Sequence, residues 1–157
     1  MTSSSIYESI KAFLASAGVQ YREVTHEPTR TSAESAKVRG LDISVGGKAI
    51  LLKVGEEFRL FVLSAAKKLD SQKIRDHFGE RKLRFATPDE LFTLTGLVPG
   101  AVPPFGRPII DLDLFVDGSI AENSVIAFNA GSMTNSIIME SKDYLRIVTP
   151  QVFDFSA

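Results

Sequence analysis

The sequence predicts an α+β domain: a mixed, largely antiparallel curved sheet, partly barrel-like, with helices packed outside it. Three observations lead there. Two β-rich runs, at 48–54 and 58–64, are joined by Gly55-Glu56-Glu57, which is hairpin chemistry. A second pair, at 124–129 and 135–140, flanks the turn Ala130-Gly131-Ser132-Met133-Thr134. Helical patterns fall around these hairpins without strict strand–helix alternation. At 157 residues, 44% of them hydrophobic, the chain has the size of one domain with one sizeable core, and a single domain over 1–157 is expected.

Each element has a local cause. Ile6, Ile10, Phe13, Leu14 and Ala17 recur at helical spacing, and Gly18 is placed to end that helix in a left-handed turn. Residues 20–25 read as a short strand that Pro28 keeps from running on into a helix. Thr31-Ser32-Ala33-Glu34 has the form of a capping box for a helix of about two turns stopping at Gly40. Asp70 caps a helix over 71–78 with Gly79 as its stop, and 83–86 gives another short strand. Thr87-Pro88-Asp89-Glu90 combines a capping box with Pro at the first helical position, so a helix runs to about Thr95. Residues 109–116 are apolar with Asp111 and Asp113 interspersed, and Asp117-Gly118 turns them. Ser141 is placed to cap a last helix through Val148, ended by Pro150.

Composition narrows the chemistry. With no Cys, and His26 and His77 as the two histidines, disulfides, thiolate zinc sites and multi-histidine metal centres are excluded, and no acidic cluster suggests a bound divalent ion. No metal and no cofactor are expected. Met1-Thr2-Ser3-Ser4-Ser5 lacks the charge and apolar run of a secretory signal, and no apolar run approaches ~20 residues, so a cytoplasmic protein without membrane contact is expected. The net charge is −1, yet 67–84 carries Lys67, Lys68, Lys73, Arg75, Arg81, Lys82 and Arg84 against Asp70, Asp76 and Glu80. That basic face suits phosphates, or is simply a solvated helix surface.

Between 96 and 106, three Gly and three Pro in eleven positions rule out a helix or central strand and specify a shaped loop. Such a backbone path can aim N–H and C=O groups at a ligand. Lys48 opens an apolar strand directly after Gly46-Gly47, where backbone can approach a ligand closely, and supplies a mobile positive charge for a phosphate or an ester oxygen. Lys53, at an odd offset, belongs on the opposite face. Asp111 and Asp113 are either paired carboxylates for acid–base work or the polar face of a strand. No Gly-x-Ser-x-Gly elbow and no phosphate-binding Gly-x-x-x-x-Gly-Lys-[Ser/Thr] loop occurs.

Four stretches together resemble the YbaK/ProX family, relatives of the editing domain of bacterial prolyl-tRNA synthetase. They are Thr25-His26-Glu27-Pro28 with Thr31-Ser32-Ala33-Glu34, Gly47-Lys48-Ala49-Ile50-Leu51-Leu52-Lys53, the loop 96–106, and Phe128-Asn129-Ala130-Gly131-Ser132 followed by Ser136-Ile137-Ile138-Met139. They keep the family's order. Gly100-Ala101-Val102-Pro103-Pro104 fits its Gly-x-x-x-Pro pattern, and Ala101, where several YbaK-like members have Gly, places the chain nearer the ProX-like branch.

The resemblance implies a trans-editing hydrolase that cleaves a wrong small amino acid from the 3′ end of a tRNA, namely tRNA(Pro), with prolyl-tRNA synthetase as a possible associate. It implies catalytic roles for Lys48 and for the backbone at Gly100, Ala101, Gly131 and Ser132, and substrate contacts from His26, Pro103, Pro104, Phe105 and Asn129. Lys67, Lys68, Lys73 and Arg75 would meet tRNA phosphates. It also implies that a tRNA hydroxyl beside the ester assists, which would account for the lack of an obvious general base. The alternative is a binding module that holds aminoacyl-tRNA, or a synthetase, in the same pocket without turnover.

Overall fold

The structure, a computed structural model, describes residues 3–29 and 31–157. Met1 and Thr2, part of the polar start read above, lie outside the described residues. The chain runs α1 (Ser3–Ala17), β1 (Tyr21–Thr25), α2 (Ser32–Arg39), a 3₁₀ turn (Ile43–Val45), β2 (Gly47–Val54), β3 (Glu57–Ser64), α3 (Ser71–Phe78), β4 (Leu83–Phe85), α4 (Pro88–Thr95), β5 (Leu114–Val116), α5 (Gly118–Ala121), β6 (Val125–Asn129), β7 (Asn135–Glu140), α6 (Ser141–Val148) and β8 (Gln151–Val152). Helix ends follow the expected chemistry. Thr31 accepts from the Glu34 N–H, Asp70 from Gln72 and Lys73, and Thr87 and Glu90 form a full capping box.

The strands form two sheets. One is antiparallel, in the order β1-β7-β6; the other, in the order β4-β2-β3-β5-β8, is mixed, because β5 and β8 pair in parallel. The expected partly barrel-like sheet is therefore corrected: the sheets do not close, and an isolated parallel bridge between Gly46 and Ala127 joins them. Glycine makes that approach possible. A Cβ on Gly47 would lie 2.6 Å from Ile126 Cδ1, closer than any packed side chain tolerates.

The middle of the five-stranded sheet is buried on both faces, which explains the unbroken apolar run of β3. Leu60 and Val62 face the core shared with α1, α6 and the second sheet, whereas Phe61 and Leu63 face a smaller core with Ile74 of α3, Phe115 and Phe155. Asp117 stitches this region together. Burial pushes its carboxyl upward, but hydrogen bonds from Ser119, Phe155 and Ser156 outweigh that and hold it below the usual range.

Three local expectations change. Residues 109–116 are not one strand: Ile109 and Ile110 donate to the Gly106 carbonyl in a turn, and only Leu114–Val116 pairs. Asp111 and Asp113 bind the Arg107 guanidinium at 2.7 and 2.5 Å, so these carboxylates are ion-paired rather than poised as an acid–base couple. Ser141 starts α6 as its first residue, not as its cap; its hydroxyl is buried without a hydrogen-bond partner among the described residues, and Glu140 occupies the cap position.

Candidate functional site

Helix α2 gives the site its first wall. Ser32, Ser35, Ala36 and Arg39 recur at i, i+3, i+4 and i+7, so one face of the helix is small and polar where an apolar stripe would otherwise face the core. This face looks into a cavity of about 150 Å³, closed from the other sides by Gly46, Gly47, Lys48 and Ala49, by Gly100 and Val102 of the Gly/Pro loop, and by Asn129 at the end of β6. Thr29, Thr31, Ser32 and Ser35 bring four hydroxyl side chains to it, and Thr29 and Ser35 are hydrogen-bonded to each other at 2.7 Å.

Two cations line the cavity. Burial alone lowers the Lys48 ammonium from its ordinary value and brings the Arg39 guanidinium down to about 10. Neither is paired with a carboxylate among the described residues. An uncompensated, partly desolvated cation is costly, so two in one small cavity mark a place prepared for an electron-rich ligand.

Arg39 is held by neutral oxygens. Its Nε donates to Ser136 Oγ at 2.9 Å and its Nη2 to Asn129 Oδ1 at 3.1 Å. Asn129 in turn donates from Nδ2 to the Gly100 carbonyl at 2.7 Å, so one amide links the cation to the loop. Behind them the His26 ring spans the Glu27 carbonyl and Ser136 Oγ, both at 2.8 Å. A carbonyl only accepts, so Nδ1 carries the hydrogen, and in the neutral ring Nε2 accepts from Ser136. His26 thus stands behind the cavity wall and orients Ser136 instead of lining the cavity.

The loop is built from below. Phe105 is 1% exposed and packs edge-on against Phe13, Phe128 and Tyr144, and the Tyr144 hydroxyl donates to the Pro104 carbonyl at 2.6 Å. Phe105, Pro103 and Pro104, for which substrate contacts are expected, are all buried and lie outside the cavity lining. Ala101 is also buried, and its N–H is taken by the Val98 carbonyl. Gly100 and Val102, both at the cavity, have N–H groups without a backbone partner among the described residues, as do Val98 and Gly106 away from it. Gly100 has a φ of +91°, a backbone setting that favours glycine.

Gly131 and Ser132 lie at the tip of the β6–β7 hairpin, outside the cavity lining. The Ser132 hydroxyl is tied to Thr134 and Asn135, and it is Met133 beside them that reaches Gly100. In the basic stretch, Lys67 and Lys68 are exposed, Lys73 donates to the Ser156 carbonyl, and Arg75 is tied to the Arg81 carbonyl and Ser71. Sequence reasoning missed Arg39, Ser136 and the hydroxyls of α2; the polar spacing on α2 was the available signal. No group of three His, Asp or Glu is placed to hold a metal among the described residues, and no described helix is long and apolar enough to cross a membrane.

Comparison with known proteins gives the family. The model of the aminoacyl-tRNA editing domain matches residues 26–147. The chain is 34% identical over 155 residues to the Escherichia coli K12 multifunctional Ser/Thr-tRNA deacylase ProXp-y, covering 95% of this chain and 92% of that protein. It is 25% identical over 144 residues to the prolyl-tRNA editing protein ProX of Acetoanaerobium sticklandii, covering 88% of each. The solved structure of hypothetical protein APE2540 superposes with a TM-score of 0.85 over 94% of this chain and 99% of that one, at 22% identity, a likeness of fold.

Proposed function

The chain belongs to the aminoacyl-tRNA editing domain family, and on that premise we propose that it is a trans-acting deacylase that hydrolyses seryl and threonyl esters on mischarged tRNA, tRNA(Pro) among the carriers. The observation that carries this reading is the cavity itself, which combines two carboxylate-free cations with four hydroxyl side chains. At about 150 Å³ it is small beside the ~300–1,000 Å³ of drug-sized ligand sites. Its hydroxyls can exchange hydrogen bonds with the hydroxyl of a Ser or Thr side chain, which a prolyl ring lacks, so the cognate ester leaves them unpaired.

An aminoacyl ester is already activated, so the protein has to hold it and stabilise charge. Water adds to the ester carbonyl carbon while the oxygen gains negative charge. The Lys48 ammonium and the N–H groups of Gly100 and Val102 are the donors at hand for that oxygen, and Arg39 adds a second positive charge to the wall. The carbon–oxygen bond to the ribose then breaks, the ribose oxygen takes a proton, and free amino acid and tRNA leave. No cavity side chain is placed as an obvious general base, which fits a role for the neighbouring ribose hydroxyl in orienting the water.

The test is single-turnover deacylation of tRNA(Pro) charged with Ser, Thr, Ala, Cys or Pro. Release of Ser and Thr with prolyl-tRNA spared is expected. Binding of every mischarged tRNA without release would instead establish the non-catalytic module, and preferential release of Ala would refute the hydroxyl-matching argument.

A further inference from the structure

Strand β4 covers β2 only at Leu52, Lys53 and Val54, so the first half of β2 keeps an open edge facing α4 and the Gly/Pro loop. Along that edge runs an apolar groove lined by Ile50, Phe85, Pro88 and Pro99, and it shares Ala49, Gly100 and Val102 with the cavity. Cavity and groove therefore meet at one mouth. Phe85 is 61% exposed, on an edge strand where a bare aromatic face is a pairing hazard. Its frame is fixed: the neighbouring Arg84 is held by both Glu90 oxygens at 2.7 and 2.9 Å, and Glu90 accepts from the Thr87 N–H at 2.9 Å. The register that turns the Leu51 carbonyl outward to the Ala86 N–H also turns the Ala49 N–H and C=O outward, where no described strand pairs with them.

An ester held at Lys48 and Gly100 puts the terminal ribose at the shared mouth, and the base attached to that ribose must leave by a neighbouring channel. We propose that the groove seats the terminal purine of the tRNA, one face stacked on Phe85, with Ala49's unpaired peptide groups at hand for its polar edge. Flat aromatic bases pair well with exposed aromatic side chains and rigid apolar rims. The inference rests on the deacylase reading and deepens it, by naming the part of the substrate that sets affinity apart from the part that reacts.

The chain contains no Trp, so Phe85→Trp introduces a single indole whose fluorescence an overlying purine quenches. The probe is 3′-(L-seryl)amino-3′-deoxyadenosine, an amide that cannot be cleaved, with the same amide on an abasic ribose as control. Saturable quenching by the adenosine probe and none by the control is expected; equal responses overturn the proposal. In parallel, Phe85→Ala raises KM for seryl-tRNA roughly tenfold with kcat little changed, and Phe85→Tyr recovers most of the loss. An unchanged KM in an active wild-type background overturns the base site alone. Wild type inert on every mischarged tRNA overturns the deacylase reading, and the quenching still decides the groove. A shift from dimer to monomer in sedimentation of Phe85→Ala would identify the groove as a contact between copies and also overturn the proposal.

Discussion

Asn129 is the residue whose replacement separates holding the loop from holding the fold. Its Nδ2 donates to the Gly100 carbonyl at 2.7 Å, and its Oδ1 accepts from Arg39 at 3.1 Å. Asn129→Ala removes one neutral hydrogen bond and one from a charged donor, together about 2 kcal/mol once partial exposure is discounted. For a chain of this size that lowers Tm by roughly 4–8 °C. The effect on rate should be larger in proportion. Releasing the Gly100 carbonyl lets the loop drift, and about 1 Å of misplacement is enough for a ~10²-fold loss. Asn129→Asp sharpens the test, because the carboxylate pairs with Arg39 but has no hydrogen for the Gly100 carbonyl. Its Tm should lie closer to wild type, with single-turnover deacylation as slow as in Asn129→Ala. An Asp variant as fast as wild type, assayed well below its Tm, would refute both the anchoring of Gly100 and the need for an uncompensated Arg39.

Lys48→Ala should fold normally and lose ten- to hundredfold in deacylation, since a contact from a charged donor is worth ~1.5–3 kcal/mol; Lys48→Arg should rescue poorly, and rates with melts alongside check both. Exhaustive chelation should leave the rate unchanged, and restoration by one added divalent ion would contradict this. The salt dependence of tRNA binding should flatten in Lys67→Ala, Lys68→Ala and much less in Lys73→Ala, Arg75→Ala, because Lys73 and Arg75 already have intramolecular partners. The hydrogen bonds from Arg84 and from Thr87 hold the Glu90 carboxyl at about 2 against its ordinary 4.5, so its stabilisation is present above pH 4.5 and lost as pH falls through about 2. Glu90→Gln should therefore flatten the acid limb of stability in that window, read by denaturant melts across pH.

Local chemistry made most elements legible. The caps at Thr31, Asp70 and Thr87 and the glycine stops at Gly18, Gly40, Gly79 and Gly96 lie where side-chain oxygens and left-handed backbone require them. Sheet partnership was less legible, because it is decided at long range. Nothing within β5 or β8 announces parallel pairing, and the apolar run after Arg107 coils into a turn where a strand seemed indicated. Of the cavity lining, Lys48 and Gly100 stood out in the sequence through the stretches that resemble a known family, whereas Arg39 did not: its partners Ser136 and Asn129 lie 97 and 90 positions away. Phe105 is the converse case. A loop full of Gly and Pro reads as surface, yet its aromatic residue is the plug that fastens it to the core.

Gly47, beside Lys48, has a further consequence. Where the sheets meet, the Ile126 side chain occupies the place a Cβ at 47 would take, so any side chain there would force Ile126 to move. Gly46, Gly47 and Lys48 are also the cavity floor, so a methyl group at 47 would act as a wedge that spreads sheet from sheet and widens the cavity in one movement. A ligand that binds the closed junction more tightly than a spread one would favour closure by the same free energy with which closure favours the ligand. A tightly bound ester mimic should therefore slow amide hydrogen exchange in β6, across the junction, together with that in β2.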